Sequence, residues 1–164
     1  REGAGINVIE VTDGYVYDAG DVRVKAFEVD HRPVAPAFGY RVDFRNDSVL
    51  VSGDTRYSQN LIKNAEGVDL LIHEVAGATE SALARPSTRR AFEHHTTGEE
   101  AGRLFATIKP KLAVYSHIIL MGGFELSQLM ADTRKAYSGP IVAGEDLMGF
   151  HVEGERVIQV EQPK

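Results

Sequence analysis

Acidic and histidine side chains come directly after three short apolar stretches of the sequence. They are Asp54, the pair His73 and Glu74, and His117. Because ligand sites in layered α/β folds gather at the carboxyl ends of strands, we expect these three places to meet in one cleft. The chain contains no cysteine, so a metal ion held in that cleft would have to bind through imidazole and carboxylate groups.

Each of these residues also has a purely structural interpretation. Asp54 lies in a Gly-Asp-Thr turn, where an aspartate often caps the helix that follows. His117 could be a core histidine whose ring nitrogens are satisfied. For His73, and for His94 and His151 elsewhere in the chain, a structural role is the more frequent one. Taken singly, the residues leave both interpretations open.

His95 has a different local environment, because it comes two residues before Thr97, the expected N-cap of a helix. The positive end of a helix disfavours protonation of a nearby imidazole and attracts anions. We therefore expect His95 to resist protonation and to meet a phosphate or sulfate group.

The first half of the sequence has the pattern of strands joined by tight turns. Asp13-Gly14 favours a two-residue hairpin, whose expected strands are residues 6–11 and 15–17. From Phe38 to Phe44 apolar and polar residues alternate, which predicts a strand. An Asn46-Asp47 turn then leads into residues 48–52, so a second hairpin is expected there.

The second half alternates short apolar runs with helical patterns, which favours helices layered on a sheet. Residues 68–72 and 112–115 are expected strands, and a helix between them opens with a Thr97 to Glu100 capping box and closes before Pro110. A second amphipathic helix is expected to carry Leu126, Leu129, Met130, Thr133 and Tyr137, and residues 148–152 and 157–160 are expected to form a last hairpin.

The bulk composition narrows the class of protein. A chain of 164 residues is long enough for one domain with its own core, and no apolar run approaches the ~18 residues of a membrane span. The formal net charge of -6 argues against broad binding of nucleic acid, which depends on clustered lysine and arginine. We expect one soluble α/β module.

At the residues singled out above, the sequence resembles the metallo-β-lactamase superfamily, in particular its ribonuclease Z and arylsulfatase-like branch. The segments that carry the resemblance are Ser-Gly-Asp-Thr-Arg at 52–56, Asp-Leu-Leu-Ile-His-Glu at 69–74, His-Thr-Thr at 95–97 and Tyr-Ser-His-Ile at 115–118. Asp30-His31, Phe-Gly-Tyr-Arg at 38–41 and Gly-Glu-Asp-Leu-Met at 144–148 also fit. The match follows the family's order along nearly the whole chain.

The resemblance implies an αββα sandwich with a mixed sheet and flanking helices, and a site with two zinc ions. Asp54 would bridge the two ions and His117 would ligate one of them. His95 would assist catalysis at the leaving group, with Glu74 orienting its ring. His31 and Arg41 would contact substrate, although a strand-borne arginine is more often simply solvated. All of these roles come from the family pattern.

One hallmark of the family is missing. The chain has no His-x-His-x-Asp-His segment, nor the further metal-ligand histidine expected between that segment and Asp30-His31. By family pattern both belong to the N-terminal half of the fold. We therefore expect residues 1–164 to be the C-terminal portion of one metallo-β-lactamase-fold domain, inactive alone, with an incomplete zinc ligand set. The residues encoded upstream of Arg1 would decide this.

Three functions stay open. Only a short hairpin separates Asp30-His31 from Asp54, where the ribonuclease Z branch usually carries a transfer-RNA-gripping insertion. This favours a small phosphate, sulfate or related ester over transfer RNA, so a transfer-RNA 3′-processing endonuclease is the alternative. The chain could also be a non-catalytic fragment or interaction module. Half a sandwich would expose a sheet face, which predicts a homo-oligomer, domain swapping or a complementary N-terminal segment as partner.

Overall fold

The computed structural model of the chain describes residues 8–160, which contain nine strands and five helices. The strands are β1 Val16–Ala19, β2 Val22–Val29, β3 Ala37–Phe44, β4 Asp47–Val51, β5 Leu70–Ala78, β6 Leu112–Met121, β7 Ile141–Ala143, β8 Gly149–Glu153 and β9 Arg156–Val160. The helices are α1 Gln59–Asn64, α2 Glu80–Leu83, α3 Pro86–Phe92, α4 Gly98–Ile108 and α5 Leu126–Arg134.

The first seven strands form one mixed sheet in the order of the sequence, from β1 to β7. Strands β1 to β4 pair antiparallel through hairpins, whereas β4, β5, β6 and β7 pair parallel. The parallel strands need crossover connections, which α1, α4 and α5 supply. This is the α/β class with a mixed sheet and flanking helices that the sequence predicts, and that prediction is confirmed.

The main hydrophobic core lies between the sheet and the crossover helices. Leu50, Leu71 and Ala113 occupy one register row of β4, β5 and β6, and all three are fully buried. Leu61 of α1, Leu104 and Phe105 of α4 and Leu129 of α5 pack in the same cluster. Side chains alternate between the faces of a strand, so the neighbouring residues of these strands point to the opposite face.

The opposite face is covered only in part. The β8–β9 hairpin lies over its parallel strands, where Phe150 and Val152 pack against a second cluster of Leu70, Leu112 and Val114. Towards β1 the same face carries large apolar side chains that remain open to solvent. Tyr17, Tyr40, Phe44 and Val51 on this face are each about two-fifths to one-half exposed.

The first predicted hairpin is wrong. Ile6 and Asn7 lie outside the described residues, and residues 8–12 form no strand, with Val8 and Ile9 exposed to solvent. Asp13-Gly14 does form a turn, but β1 pairs instead with β2 through a turn at Gly20-Asp21. The second hairpin is confirmed as β3 and β4, with its turn one residue earlier than predicted, at Arg45-Asn46.

In the second half the predicted helices and the last hairpin are confirmed. Thr97 caps α4 through a reciprocal capping box with Glu100, and α5 ends at Arg134, short of the predicted Tyr137. The strands are longer than expected, because β5 continues to Ala78 and β6 to Met121. His73, Glu74 and His117 therefore lie within strands, and only Asp54 follows a strand end.

Among the described residues, no helix has both the length and the apolar character needed to span a membrane.

Candidate active site

The loop after β4 holds Asp54 in a backbone geometry that depends on the preceding glycine. Gly53 has a φ of 62°, and a Cβ there would lie 2.4 Å from the carbonyl oxygen of Phe38. The amide of Glu74 donates to the hydroxyl of Ser52 at 3.0 Å, which ties the loop to β5. Ser58, not Asp54, caps α1 by accepting from the amide of Leu61. The helix-capping interpretation of Asp54 is therefore wrong.

A β-bulge turns His117 towards this loop. Glu74 pairs with Ser116 and Val75 with Ile118, so His117 is the extra residue of β6. Its φ of 44° lies in the left-handed region, which non-glycine residues rarely adopt and which is concentrated at functional sites. The bulge brings His117 Nε2 to 3.4 Å from Asp54 Oδ2, and both side chains are about half exposed. The core-histidine interpretation of His117 is thus wrong.

Glu74 is buried on β5, between the strands that lead to Asp54 and His117, and forms hydrogen bonds through both carboxylate oxygens. Its Oε1 accepts from the amide of Thr96 at 2.7 Å and from that of Thr55 at 3.4 Å. Its Oε2 lies 3.0 Å from Nδ1 of His95. Since an ionised carboxylate can only accept, the Nδ1 of His95 carries a proton and its Nε2 is left for other partners.

The environment of His95 differs from the one that its position before a helix suggests. The hydrogen bond to Glu74 raises the pKa of His95, burial opposes this rise, and the negative charges of Glu74 and Asp54 add to it. The expectation that the helix end would disfavour protonation is wrong, because a buried carboxylate in direct contact outweighs a partial charge one turn away.

Three imidazoles lie in a row across the site. The ring of His95 is 5.1 Å from that of His31 on one side and 5.7 Å from that of His117 on the other, between ring centroids. Nδ1 of His31 donates to the carbonyl oxygen of His94 at 3.0 Å, so the Nε2 of His31 is left for other partners. The structure therefore brings His31, Asp54, Glu74, His95 and His117 together.

Arg56 links the loops that carry His31 and His95. Its amide donates to the carbonyl of Asp30 at 2.8 Å, and its guanidinium donates to the carbonyls of Arg32 and Glu93. The carboxylate of Asp30 lies 3.7 Å from the same guanidinium and is itself bonded by Arg32, whose hydrogen bonds hold the pKa of Asp30 well below its usual range. Arg56 lies two residues after Asp54 in the Ser-Gly-Asp-Thr-Arg segment, and this position is the sequence signal that indicates a role for it at the site.

The remaining candidates lie elsewhere. Arg41 donates to the carbonyls of Asn64 and Glu66 and to the carboxylate of Asp43, so its guanidinium is committed to the C-terminal end of α1. The structure thus contradicts its assignment to substrate. His73 is fully buried in the main core and His151 lies exposed on β8, which agrees with structural roles for both.

The metal-ligand chemistry of the site is incomplete. Asp54 and His117 are a carboxylate and an imidazole directed at each other, which are donors that zinc accepts. Within residues 8–160, however, no group of three or more histidine, cysteine, aspartate or glutamate side chains is arranged to hold a metal ion. A catalytic zinc ion generally takes about three protein ligands. The two residues fit as part of a donor set and not as a whole one.

Sequence comparison gives a family match over most of the chain. Residues 1–118 match a family model described as the beta-lactamase superfamily domain. Among curated proteins, a ribonuclease Z of Mycobacterium avium is 31% identical over 151 residues, which cover 90% of this chain and 54% of that protein. The chain spans about half the length of such relatives.

Structure comparison agrees on the fold. The metallo-beta-lactamase fold protein YhfI of Bacillus subtilis superposes with a TM-score of 0.66 at 20% identity, over 84% of this chain and 52% of that one. Igni18, described as a metallo hydrolase of Ignicoccus hospitalis, gives a TM-score of 0.62 at 12% identity, over 94% and 61% of the two chains. In both cases the matching region is little more than half of the larger protein.

Proposed function

The chain belongs to the beta-lactamase superfamily, and from this premise we propose that it is the C-terminal portion of a metal-dependent hydrolase of phosphate, sulfate or related esters. The observation that carries the proposal is the approach of His117 Nε2 to Asp54 Oδ2, at 3.4 Å, beside a His95 ring that a buried glutamate orients. Carboxylate and imidazole donors next to a positioned proton donor are the parts that hydrolytic metal sites use.

Asp54 and His117 would be donors to the metal, with zinc as the expected ion. When bound, such an ion supplies a Lewis acid that lowers the pKa of a bound water and polarises the ester. The exposure of both side chains leaves room for the other donors. The bulge at His117 and the glycine at 53 hold the two donors at this distance.

His95 would protonate the leaving oxygen. Its Nδ1–H is held by Glu74, so the ring has a fixed orientation and its Nε2 is the atom that can carry and release a proton. The hydrogen bond to Glu74 raises the pKa of His95, which favours the protonated ring that a general acid requires. Glu74 acts through His95 and is a positioning residue, fixed by the amides of Thr55 and Thr96.

His31 would contact the substrate from the far side of His95. The carbonyl of His94 fixes its tautomer, and Arg56 holds together the two loops from which His31 and His95 project. An ester group bound over His95 would therefore have His31 on one side and the Asp54–His117 pair on the other.

The missing donors are proposed to come from a complementary N-terminal segment outside these 164 residues. Two observations support this: Asp54 and His117 approach each other without a third suitable donor among the described residues, and the curated relatives are about twice as long as the matched region. The open sheet face of Tyr17, Tyr40, Phe44 and Val51 is where such a segment would pack. Without it, we expect the chain to self-associate through this face and to bind zinc weakly.

A transfer-RNA 3′-processing endonuclease of the ribonuclease Z type is the second candidate. It is favoured by the curated relatives, which carry the name ribonuclease Z. The net charge of -6 and the short connection between His31 and Asp54 favour a small ester instead. Both candidates are ester hydrolases and would use the same Asp54, His95 and His117.

The substrate test compares three reactions of the intact, zinc-loaded protein: hydrolysis of bis-p-nitrophenyl phosphate, hydrolysis of p-nitrophenyl sulfate, and cleavage of a transfer-RNA precursor at its 3′ trailer. Hydrolysis of a small ester without RNA cleavage supports the main proposal, and efficient trailer cleavage supports the second candidate. An absence of all three activities, in protein shown to bind zinc, would support a non-catalytic interaction module.

A further inference from the structure

A buried hydroxyl group joins the loop that carries Asp54 to the loop that carries His95. The hydroxyl of Thr96 donates to the carbonyl oxygen of Thr55 at 2.7 Å, and both residues are fully buried. Thr55 directly follows Asp54 in the chain, and Thr96 directly follows His95. The hydrogen bond therefore links the backbone beside a proposed metal donor to the backbone beside the proposed general acid.

The backbone of Thr96 is held to β5 independently of this hydroxyl. Its amide donates to Oε1 of Glu74 at 2.7 Å, and its carbonyl oxygen accepts from the amide of Ala76 at 2.8 Å. Both bonds are made by main-chain atoms, so they remain whatever side chain stands at this position. What the hydroxyl adds is a direct bond between the two loops.

This bond differs from those of two other threonines in the chain. The hydroxyls of Thr107 and Thr133 each donate to the carbonyl four residues earlier, at Arg103 and Leu129 of their own helices. Such local bonding satisfies a threonine hydroxyl without any distant partner. Thr96 instead bonds to a residue 41 positions away in the sequence. Its side chain therefore contributes to tertiary geometry and not only to its own hydrogen-bond satisfaction.

The separation of the two loops matters for the proposed reaction, because His95 and the Asp54–His117 pair must meet the same ester. As a hydroxide oxygen bonds to phosphorus, the bond to the leaving oxygen breaks. The leaving oxygen keeps that electron pair and takes the proton of His95 Nε2. A displacement of about 1 Å between groups that must cooperate in this way can cost about 100-fold in rate.

We propose that the hydroxyl of Thr96 is a positioning group that sets the distance between His95 and the Asp54–His117 pair. The inference rests on the proposed function and assigns the alignment of its two halves to one buried hydrogen bond. Thr96 acts through the backbone of Thr55 and through its own bond to His95. It contacts neither the substrate nor the reacting atoms, so its loss should misalign proton transfer and leave the donors in place.

The kinetic test is the variant Thr96→Val, which replaces the hydroxyl with a methyl group of similar size. Its substrates are methyl phenyl phosphate and methyl p-nitrophenyl phosphate, or the corresponding aryl sulfates if the intact, zinc-loaded protein hydrolyses those instead. Phenol is a basic leaving group that needs a proton, whereas p-nitrophenol leaves readily without one. We expect kcat to fall about 100-fold for the phenyl ester and less than about twofold for the p-nitrophenyl ester, with KM unchanged.

Two further variants separate positioning from a general effect on the fold. Thr96→Ser retains the hydroxyl and should recover most of the rate for the phenyl ester. Thr107→Val, which removes a hydroxyl bonded within α4, is the matched control and should change neither rate. The ratio of the two rates does not depend on how much of a variant is folded. An equal loss for both esters in Thr96→Val would overturn the inference.

The metal-free protein gives a second readout that does not depend on activity. NMR relaxation dispersion detects motion on the μs–ms timescale. Thr96→Val should introduce such exchange at the signals of Asp54 and His95 together, because the two loops can then move relative to each other. Thr96→Ser should not introduce it. Signals of Asp54 and His95 that stay free of new exchange in the valine variant would overturn the inference.

Failure of the inference and failure of the proposed function give different results. If the unaltered protein hydrolyses the esters and Thr96→Val keeps the same ratio of rates, the inference fails while the proposed function stands. If the unaltered, zinc-loaded protein hydrolyses no phosphate, sulfate or RNA ester, the proposed function fails, and the inference that rests on it is overturned as well.

Discussion

His117 Nε2 lies 3.4 Å from Asp54 Oδ2, although the strands that lead to these residues are separated in the sheet by β5. Two backbone features make the approach possible: the bulge that inserts His117 into β6, and the left-handed Gly53 that turns the chain after β4. Strain held in sparsely populated backbone regions needs support from the surrounding structure. Here β5 supplies it, because Glu74 fixes the loop after β4 and His95 at once.

The variant Glu74→Gln should lower the pKa of His95. In the folded chain the hydrogen bond to the Glu74 carboxylate is the main reason that the pKa of His95 lies above its ordinary value of 6.5. The glutamine amide of the variant carries no negative charge, so it stabilises the protonated ring less. Histidine titration by NMR measures the change. Activity that needs protonated His95 should fall as pH rises through its pKa, and in the variant this fall should come at lower pH. Glu153→Gln, beside exposed His151, is the control. An unchanged pKa of His95 in the Glu74 variant would refute its role.

Arg56→Ala should lower the hydrolysis rate of the intact protein by about 10- to 100-fold, because small displacements of positioned groups cost this much. The guanidinium joins the loops of His31 and His95, so its loss should also speed exchange of the Nδ1 proton of His31. Arg56→Lys should recover part of the rate. Arg103→Ala on the exposed side of α4 should change neither quantity. Equal effects of the two alanine variants would rule out the positioning role.

Gly53→Ala should destabilise the chain by about 1–3 kcal/mol and weaken metal binding. A Cβ at Gly53 meets the carbonyl of Phe38, so the loop must move and carry Asp54 with it. Gly67→Ala is the matched control, because Gly67 has a similar φ of 66° but no atom within 4 Å of the added Cβ. Urea unfolding and zinc titration of both variants separate the free-energy cost of placing alanine at a positive φ from the cost of the contact with Phe38. If Gly67→Ala is as damaging as Gly53→Ala, the contact with the carbonyl of Phe38 adds no cost of its own.

His73 should make the free energy of unfolding fall at acid pH. Burial lowers its pKa below 6.5 in the folded chain, and its Nε2 has no hydrogen-bond partner among the described residues. The unfolded chain therefore binds a proton at His73 more readily than the folded chain does. As a result, this residue does not reduce the free energy of unfolding above pH 6.5. Below pH 6.5 the free energy of unfolding decreases by up to ~1.4 kcal/mol per pH unit. Denaturant unfolding from pH 7 to 5 should show this slope.

The variant His73→Leu, of similar volume, should reduce that slope whatever its effect on absolute stability. His151→Leu, at an exposed position, should leave the slope as it is. If the His73 variant keeps the full slope, another group is responsible for the acid sensitivity.

The sequence predicted the parts of this molecule that local patterns encode. The capping box at Thr97 and the alternation in β3 are visible in the sequence without knowledge of tertiary contacts, and both predictions are confirmed. The hairpin prediction at Asp13-Gly14 is wrong because glycine and aspartate also occur together at Gly20-Asp21. The pairing of β1 with β2 places the turn at this second position. The lengths of β5 and β6 depend on their pairing with each other, which a single strand does not reveal.

The sequence predicted which residues form the candidate site better than it predicted their geometry. Asp54, His95, Glu74, His31 and His117 come together, whereas Arg41 does not, because its strand face points towards α1. The bulge at His117 has no sequence signature, so that residue was expected at a strand end. The direction of the pKa shift of His95 could not be foreseen either, since it depends on a carboxylate from another strand.

The zinc content of the intact protein after dialysis shows whether Asp54 and His117 are metal donors. The unaltered protein and the exposed control His151→Ala should each keep two ions per chain, the number of a two-metal hydrolytic site. Asp54→Ala and His117→Ala should each keep at most one, and both should lose hydrolysis. If Asp54→Ala and His117→Ala retain the full zinc content of the unaltered protein, these two side chains are not the metal donors and the proposed function is wrong.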